Sequence, residues 1–195
     1  TGQLQVLTGL SPGFWTGLGS SDSWFDFQNW NGLVVPDSSL DVDIEDISIR
    51  TPLIDGSAVC RNITIGAGAR VILSGNSDLT VFRNYINLGE FVPNGGKITF
   101  KGDTTSVSMV HPTTDSLYDV EYAGVDTFQL SIIGGPLLLK DLLEVTQGGT
   151  LDLDGTGVHC IGLTGAGSII NSVSAPAELL FYGTAATPVR TFSGA

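Results

Sequence analysis

Residues 60–103 read CRNITIGAGARVILSGNSDLTVFRNYINLGEFVPNGGKITFKGD, and residues 117–155 read LYDVEYAGVDTFQLSIIGGPLLLKDLLEVTQGGTLDLDG. Both stretches consist of short runs of alternating apolar and polar residues, separated by Gly, Asn, Asp and Ser. This pattern is typical of β-strands joined by tight turns. The two stretches match at four runs, three of them with an offset of about 57 residues. Such self-similarity favours a solenoid of stacked coils over a sandwich or a barrel.

The repeat predicts three strands per coil, with coils that begin near residues 62, 85, 118, 142 and 168. The longer third step predicts an inserted loop over residues 104–116. The segment 136–145, PLLLKDLLEV, also fits a short helix, but the repeat favours two strands there. The apolar residues of the runs are expected to fill the interior, namely Ile63, Ile65, Val71, Leu73, Leu79, Val81, Ile98, Val120, Leu137, Leu139, Leu151 and Leu153.

The composition agrees with a single all-β domain and excludes several classes of partner. Of the 195 residues, 26 are Gly and only 14% are charged, against about 25% in ordinary globular chains. Acidic residues number 20 and basic residues 8, so that the net charge is −12. We therefore expect no nucleic-acid partner, because phosphates require a basic surface. We also expect no membrane insertion, since no apolar run approaches the ~20 residues that span a bilayer.

The N-terminal part of the chain differs from the repeats. Residues 14–30, FWTGLGSSDSWFDFQNW, contain all three tryptophans, Trp15, Trp24 and Trp30. A solenoid must cover its exposed ends, so this segment is predicted to form an aromatic cap over the first coil. The alternative is a platform of Trp15, Trp24 and Trp30 that stacks on sugar rings and contacts glycans.

These patterns divide the chain into an N-terminal strand or arm (1–13), an aromatic cap with the first strands (14–57) and β-helix repeats (58–195). In the arm, Leu4 and Val6 alternate with glutamines, as in a free strand. The open ends of a solenoid carry unpaired backbone groups that recruit strands. Leu4 and Val6 are therefore a candidate assembly strand.

Three of these motifs resemble one family of proteins. The string CRNITIGAGARVILSGNSDLTV (60–81) is similar to the C-x-N-L-T-I repeat units of repeat-rich, β-helical adhesin-like surface and secreted proteins of Bacteroidota. TQGGTLDLDGTGVHCIGLTG (146–165) resembles their companion S-G-T-L-D-L-N-G unit, and SDSWFDFQNWNGLVVPDSS (21–39) resembles their N-W-x-G-x-V-P opening. The resemblance implies a parallel β-helix displayed outside the cell. It transfers no catalytic motif to any residue here.

An acidic run over residues 40–49 offers one candidate metal site. Asp41, Asp43 and Asp46 present carboxylate oxygens, which are ligands that Ca²⁺ prefers. The spacing is not that of an EF-hand, because Asp46 stands where the loop glycine belongs. The plainer interpretation is a half-buried strand with a solvated acidic face, and we expect no cofactor.

A second acidic pair, Asp152 and Asp154, is the minimum for acid–base catalysis on a β-helix. Lys140 and His159 are the only nearby candidates for a catalytic partner, and no motif fixes either of them. We therefore predict that the chain is not an enzyme.

Cys60 and Cys160 are predicted to be unpaired, inward-facing thiols. At about 24 residues per coil they lie about four coils apart, which is roughly 19 Å along the axis. A disulfide requires Cα atoms within about 7 Å of each other.

Together these features predict a right-handed parallel β-helix with an aromatic N-terminal cap. The expected function is that of a non-enzymatic, extracellular structural or adhesive module of a bacterial surface protein. The alternatives are a self-assembling subunit of a surface filament and a carbohydrate-binding or carbohydrate-cleaving β-helix. The expected partners are protein, either further copies or further repeats of a longer parent chain, and surface glycans.

Overall fold

The computed structural model describes residues 9–102, 105–110, 116–182 and 189–192. The candidate assembly residues Leu4 and Val6 lie outside the described residues. In the described part, regular structure consists of short β-strands and one 3-10 helix, Phe27–Asn29. The all-β prediction is confirmed.

The strands are two to six residues long, and most of them alternate buried and more exposed side chains, as Ile63–Ile65 and Asp119–Tyr122 do. They are β1 (Val42–Ile44), β2 (Leu53–Ile54), β3 (Ser57–Cys60), β4 (Ile63–Ile65), β5 (Arg70–Leu73), β6 (Asp78–Val81), β7 (Tyr85–Asn87), β8 (Glu90–Val92), β9 (Lys97–Phe100), β10 (Thr105–Met109), β11 (Asp119–Tyr122), β12 (Thr127–Ile132), β13 (Leu137–Leu138), β14 (Leu142–Val145), β15 (Thr150–Asp152), β16 (Val158–Cys160), β17 (Gly162–Thr164), β18 (Ser168–Ile170), β19 (Ala177–Phe181) and β20 (Val189–Phe192).

The strands stack into the faces of a β-solenoid of about six coils. One face is a seven-stranded sheet in the order β1-β4-β7-β10-β12-β15-β18, and a second is a six-stranded sheet in the order β3-β6-β9-β11-β14-β17. The remaining strands form two shorter sheets, β2-β5-β8 and β13-β16-β19-β20. The named strand pairs are parallel except β19 with β20. The predicted parallel solenoid is therefore confirmed, and PLLLKDLLEV forms two strands, β13 and β14, as the repeat indicated.

The strand register gives about 22 residues per coil, and not the 24 that the sequence analysis assumed. Val42 pairs with Ile63, Ile63 with Tyr85, Tyr85 with Val107 and Val107 with Leu130. The predicted coil starts near 62, 85 and 168 fall on this seven-stranded face.

The predicted starts near 118 and 142 are wrong, because β11 and β14 belong to the six-stranded face. The predicted inserted loop over residues 104–116 is also wrong for Thr105–Met109, because these residues form β10, a strand of the seven-stranded sheet. The offset of about 57 residues is not a whole number of coils. It aligned strands from different faces, which share the same inward–outward alternation.

All twelve predicted core residues are buried, with at most 2% of the surface of each exposed. Rings continue the core along the axis: Phe100 stacks on Phe128 at 4.8 Å between centroids, and Phe128 stacks on Tyr122 at 5.0 Å. Parallel stacking places inward residues of successive coils on top of each other, so the core is a continuous column.

The first coil of the solenoid lies mostly in the segment 14–57, which was predicted to hold the cap and the first strands. The first coil consists of β1, β2 and β3, and β1 already pairs with β4 of the second coil. The predicted boundary between residues 57 and 58 therefore falls inside the first coil, at the start of β3. The acidic run of residues 40–49 is regular only over β1, where Val42 and Ile44 point inward.

Candidate functional surfaces

The three tryptophans form one buried cluster against the first coil. The ring of Trp30 lies between the rings of Trp15 and Trp24, at 4.9 and 4.6 Å, in edge-to-face contacts. The indole N–H of Trp15 donates to the Arg50 carbonyl oxygen, and that of Trp30 donates to the Trp24 carbonyl oxygen, both at 2.7 Å. Each ring has 0% of its surface exposed. Because a sugar must stack on an accessible ring face, the predicted glycan contact at Trp15, Trp24 and Trp30 has no support in this arrangement.

The segment that carries the tryptophans lies along the edges of the first two strands. Phe14 bridges to Asp43 beside β1, and Ser23 bridges to Leu53 of β2. The approach at β1 is close: a Cβ atom on Gly13 would lie 1.9 Å from the Asp41 carbonyl oxygen, so only glycine fits there. The segment thus occupies backbone edges that would otherwise be free.

The same segment exposes apolar side chains that the sequence analysis missed. Leu18, Phe25 and Phe27 are each more than 40% exposed. Alternation in SDSWFDFQNW indicates which side chains face opposite ways, but it does not indicate which way is outward. The accessible rings of this segment are therefore phenylalanines and not tryptophans.

The candidate calcium ligands do not converge. The guanidinium of Arg61 binds the Asp41 carboxylate, with Nε donating to Oδ1 at 2.6 Å, and Asn62 also donates to it. The hydrogen bond from Arg61 lowers the pKa of Asp41, whereas burial raises the pKa of Asp43. In the described part of the chain no three His, Cys, Asp or Glu side chains form a group that could hold a metal. Asp41, Asp43 and Asp46 therefore give no support to the calcium site considered above, and the expectation of no cofactor stays a prediction.

Asp41 instead begins a ladder of polar side chains on the outside of the seven-stranded sheet. Asn62 donates to Asp41 and accepts a hydrogen bond from the Asn84 N–H at 2.9 Å. Ser106 then donates to the Asn84 side-chain oxygen at 2.9 Å. Each rung joins one coil to the next, so these polar groups hold successive coils together.

Asp152, one member of the second acidic pair, has a structural role in this fold. The Asp152 side chain is 5% exposed and accepts hydrogen bonds from the backbone N–H groups of Asp154, at 3.1 Å, and Ser172, at 3.0 Å. Burial opposes its ionisation, but the hydrogen bonds from Ser172 and Asp154 outweigh burial and lower the pKa of Asp152. The carboxylate thus ties the turn after β15 to the segment after β18.

Asp152→Asn is expected to destabilise the fold at neutral pH by about 1–2 kcal/mol, because it removes a charge-assisted acceptor. A carboxylate whose folded pKa lies below its unfolded value of about 3.9 stabilises the fold above that pH, and this contribution is lost as the pH falls through the folded pKa. The variant should therefore lose less stability than the wild type between pH 7 and pH 2.5. Urea unfolding at both pH values measures this, and an equal loss in the two proteins would contradict it.

The structure does not bring His159 and Lys140 together with the Asp152 carboxylate as a catalytic group. The His159 Nε2 atom lies 3.0 Å from Glu178 Oε1 on the neighbouring coil, and the two side chains line an open depression with Asp154 and Pro136. Lys140 is exposed in the connection between β13 and β14. The prediction that the chain is not an enzyme stays a prediction.

Cys60 and Cys160 are both free and buried, as predicted. Cys60 ends β3 in the first coil, whereas Cys160 ends β16, on a different face about five coils away. Burial raises the pKa of both thiols, that of Cys160 to about 11.

We expect both thiols to be inert in the folded protein, because the thiolate is the reactive form and neither sulfur is accessible. Labelling with an aromatic disulfide reagent at pH 8 should be slower than in denaturant by at least about 1,000-fold, and two thiols should react after unfolding. Rapid labelling of the native chain, or an intramolecular disulfide in the mass spectrum, would contradict the buried positions.

The two ends of the solenoid differ in how exposed their inward-facing residues are. In the first coil the inward residues of β1, β2 and β3 are at most 2% exposed. In the last coil, Leu163 of β17 is 38% exposed and Ile169 of β18 is half-buried, although both point inward. Within the described residues, β17 and β18 each have a neighbouring strand on one side only. We call the surface formed by β17 and β18 the open end.

Comparisons with known proteins identify no relatives of this chain: no family model, no curated protein and no solved structure matches it. Among the described residues, the structure contains no helix that is both long and apolar enough to cross a membrane.

Proposed function

We propose that the chain is a non-enzymatic structural module, a rigid β-solenoid rod that belongs to an extracellular or cell-surface protein. The observation that supports it best is the use of outward-facing polar side chains. Asp41, Asn62, Asn84 and Ser106 form a ladder along the axis, in which each side chain is bound to the next coil. Groups used in this way stabilise the rod.

The ion pairs follow the same pattern. Arg70 of β5 pairs with Glu90 of β8 at 3.0 Å, and Lys97 of β9 pairs with Glu121 of β11 at 2.7 Å, each across one coil boundary. Exposed pairs of this kind contribute only about 0–1 kcal/mol each. The ion pairs therefore add little to the stability of the rod.

We further propose that residues 14–30 act as the cap of this rod. The bridges from Phe14 and Ser23 to the edges of β1 and β2, and the tryptophan cluster beneath them, support this role. A covered edge prevents other chains from pairing with the first coil. The acidic, lysine-poor composition and the resemblance to surface adhesins support the extracellular and adhesive parts of the proposal.

The location can be tested in the cells that produce the protein. A tagged chain should be cleaved by protease added to intact cells, and an antibody to the tag should stain them without permeabilisation. A chain that is recovered only after lysis, in the cytoplasmic fraction, would overturn the surface assignment. Incubation with a panel of polysaccharides should release no reducing ends, and release by the folded wild-type chain would favour the carbohydrate-cleaving alternative.

A second candidate function is that of a subunit in a surface filament. The open end favours it, because half-exposed core residues and unpaired strand edges are the features that recruit another chain. A structural rod and a filament subunit are compatible, since a filament is a rod continued by further copies.

A further inference from the structure

We propose that the open end binds the N-terminal residues 1–8 of a second copy of this chain, which add a strand beside β18. This inference rests on the filament candidate above and names its partner. The surface is formed by described residues, and the occupant is the segment that precedes them.

Within the described residues, the open end lacks the covering layer that the earlier coils have. Ile169 of β18 pairs with Leu151 of β15, which is 1% exposed, and Leu163 of β17 pairs with Leu143, which is also 1% exposed. Leu151 and Leu143 are buried by the coil above them. The exposure of Leu163 and Ile169 therefore marks the place where one more strand layer would fit.

The described residues that follow β19 do not continue the coil. After β19 the chain reverses, and β20 pairs with β19 in the antiparallel direction. The edge of the β13-β16-β19 sheet is thereby occupied, while the edges of β17 and β18 are not paired by any described residue. Among the described residues, none supplies the next layer on β17 and β18.

Residues 1–8 of the same chain cannot supply that layer. Residues 10–13 are fixed beside β1, because the Asn31 side chain donates to the Leu10 carbonyl oxygen and Asp43 donates to the Gly13 carbonyl oxygen. From β1 to β18 the seven-stranded sheet spans six strand spacings of about 4.8 Å, or about 29 Å. Eight extended residues reach about 27 Å at most, so none would remain to pair with β18.

A second copy stacked head to tail places the same residues at the required position. Its residues 13–15 lie at the β1 edge of the seven-stranded sheet, and β18 is the opposite edge of that sheet. In this arrangement, residues 1–8 of the upper copy would extend from its first coil at a point next to β18 of the lower copy. Leu4 and Val6 alternate with Gln3 and Gln5, which suits a strand with one face on Ile169.

Exposed apolar side chains occur in both of the segments that such a contact would join. The N-terminal segment exposes Leu18, Phe25 and Phe27, and the C-terminal coil exposes Leu163 and Ile170. The contact joins two different surfaces of the same molecule, so each added copy presents a new open end and the assembly propagates.

The test uses the full-length chain and two matched double variants. Leu4→Asp/Val6→Asp places carboxylates on the inward face of the added strand, whereas Gln3→Asp/Gln5→Asp adds the same charge to the outward face. Sedimentation velocity over a concentration series should show self-association of the wild type. The first variant should weaken the association by at least about tenfold, and the second by no more than about threefold.

Two further measurements address the open end itself. Ile169→Asp should abolish association while the far-ultraviolet circular dichroism stays that of the wild type. If that variant fails to fold, an excess of the peptide TGQLQVLT added to the wild-type chain replaces it, and this peptide should dissociate the assemblies. Peptide TGDLDVLT, with the two outward glutamines replaced, should do the same, whereas TGQDQDLT should not.

Each other outcome overturns the inference. Equal effects of the two double variants, or no effect of either, would exclude residues 1–8 as the occupant. Association that resists both the Leu4→Asp/Val6→Asp variant and the peptide would mean that the coils stack directly. A wild-type chain that stays monomeric would overturn both this inference and the filament candidate, but would leave the surface-module proposal to the protease test.

Discussion

Leu151→Asp is expected to unfold the protein or to lower its free energy of unfolding by at least about 4 kcal/mol. Leu151 is 1% exposed and lies between Phe128 and Ile169 in the neighbouring strands of the seven-stranded sheet. An aspartate there would place an unpaired carboxylate in the apolar column, where neither water nor a basic side chain could compensate it. Since single domains are typically stable by about 5–15 kcal/mol, the loss is a large part of the total.

Ser131→Asp is the matched control for this change. Ser131 is exposed on the adjacent strand β12 of the same sheet and pairs with the uncharged Ser108, so the variant adds the same charge to the outer face. It should change the free energy of unfolding by less than about 0.5 kcal/mol. Urea unfolding followed by circular dichroism gives both values, and a Leu151→Asp protein as stable as the control would show that the assigned inward face of β15 is wrong.

Trp30→Ala is expected to cost about 3–5 kcal/mol. Trp30 is fully buried between Trp15 and Trp24, and its indole N–H donates to the Trp24 carbonyl oxygen. Its removal leaves a cavity and separates two rings that Trp30 alone connects. If residues 14–30 are a cap, the amides of β1, β2 and β3 should also exchange hydrogen faster than those of later coils.

Phe27→Ala is the control for this second prediction, because Phe27 belongs to the same segment but is 47% exposed. It should cost less than about 1 kcal/mol and should leave amide exchange in the first coil unchanged. Hydrogen exchange read by mass spectrometry distinguishes the two variants. Unchanged protection of β1, β2 and β3 in Trp30→Ala would mean that the segment packs on the rod without stabilising it.

Sequence patterns were sufficient where a property depends on the alternation within one strand. Ile63, Leu79 and Leu151 were predicted to point inward from their immediate neighbours, and all three are buried. The free, buried state of Cys60 and Cys160 followed from the same alternation and from the distance between coils. These predictions hold even though the assumed coil starts near 118 and 142 are wrong.

Sequence patterns failed where a property depends on which strand lies beside which. Strands from different faces have the same alternation, so Asn62–Ile65 could be aligned with Asp119–Tyr122 although they lie in different sheets. The orientation of the side chains in the aromatic segment could not be predicted for a related reason. Its alternation separates Trp24 from Phe25, but only the position of the first coil makes the tryptophan the inner residue and the phenylalanine the outer one.

The sequence by itself determined that this chain is an all-β solenoid and which residues fill its core, because the pleat of a strand sends successive side chains to opposite faces. Only the tertiary structure decided the 22-residue coil, the ladder from Asp41 to Ser106 and the partners of Asp152. These depend on backbone pairing between strands about one coil apart, which no local pattern encodes. The open end was likewise visible only in three dimensions, because a strand edge is free or covered according to what lies beside it, and not according to its own residues.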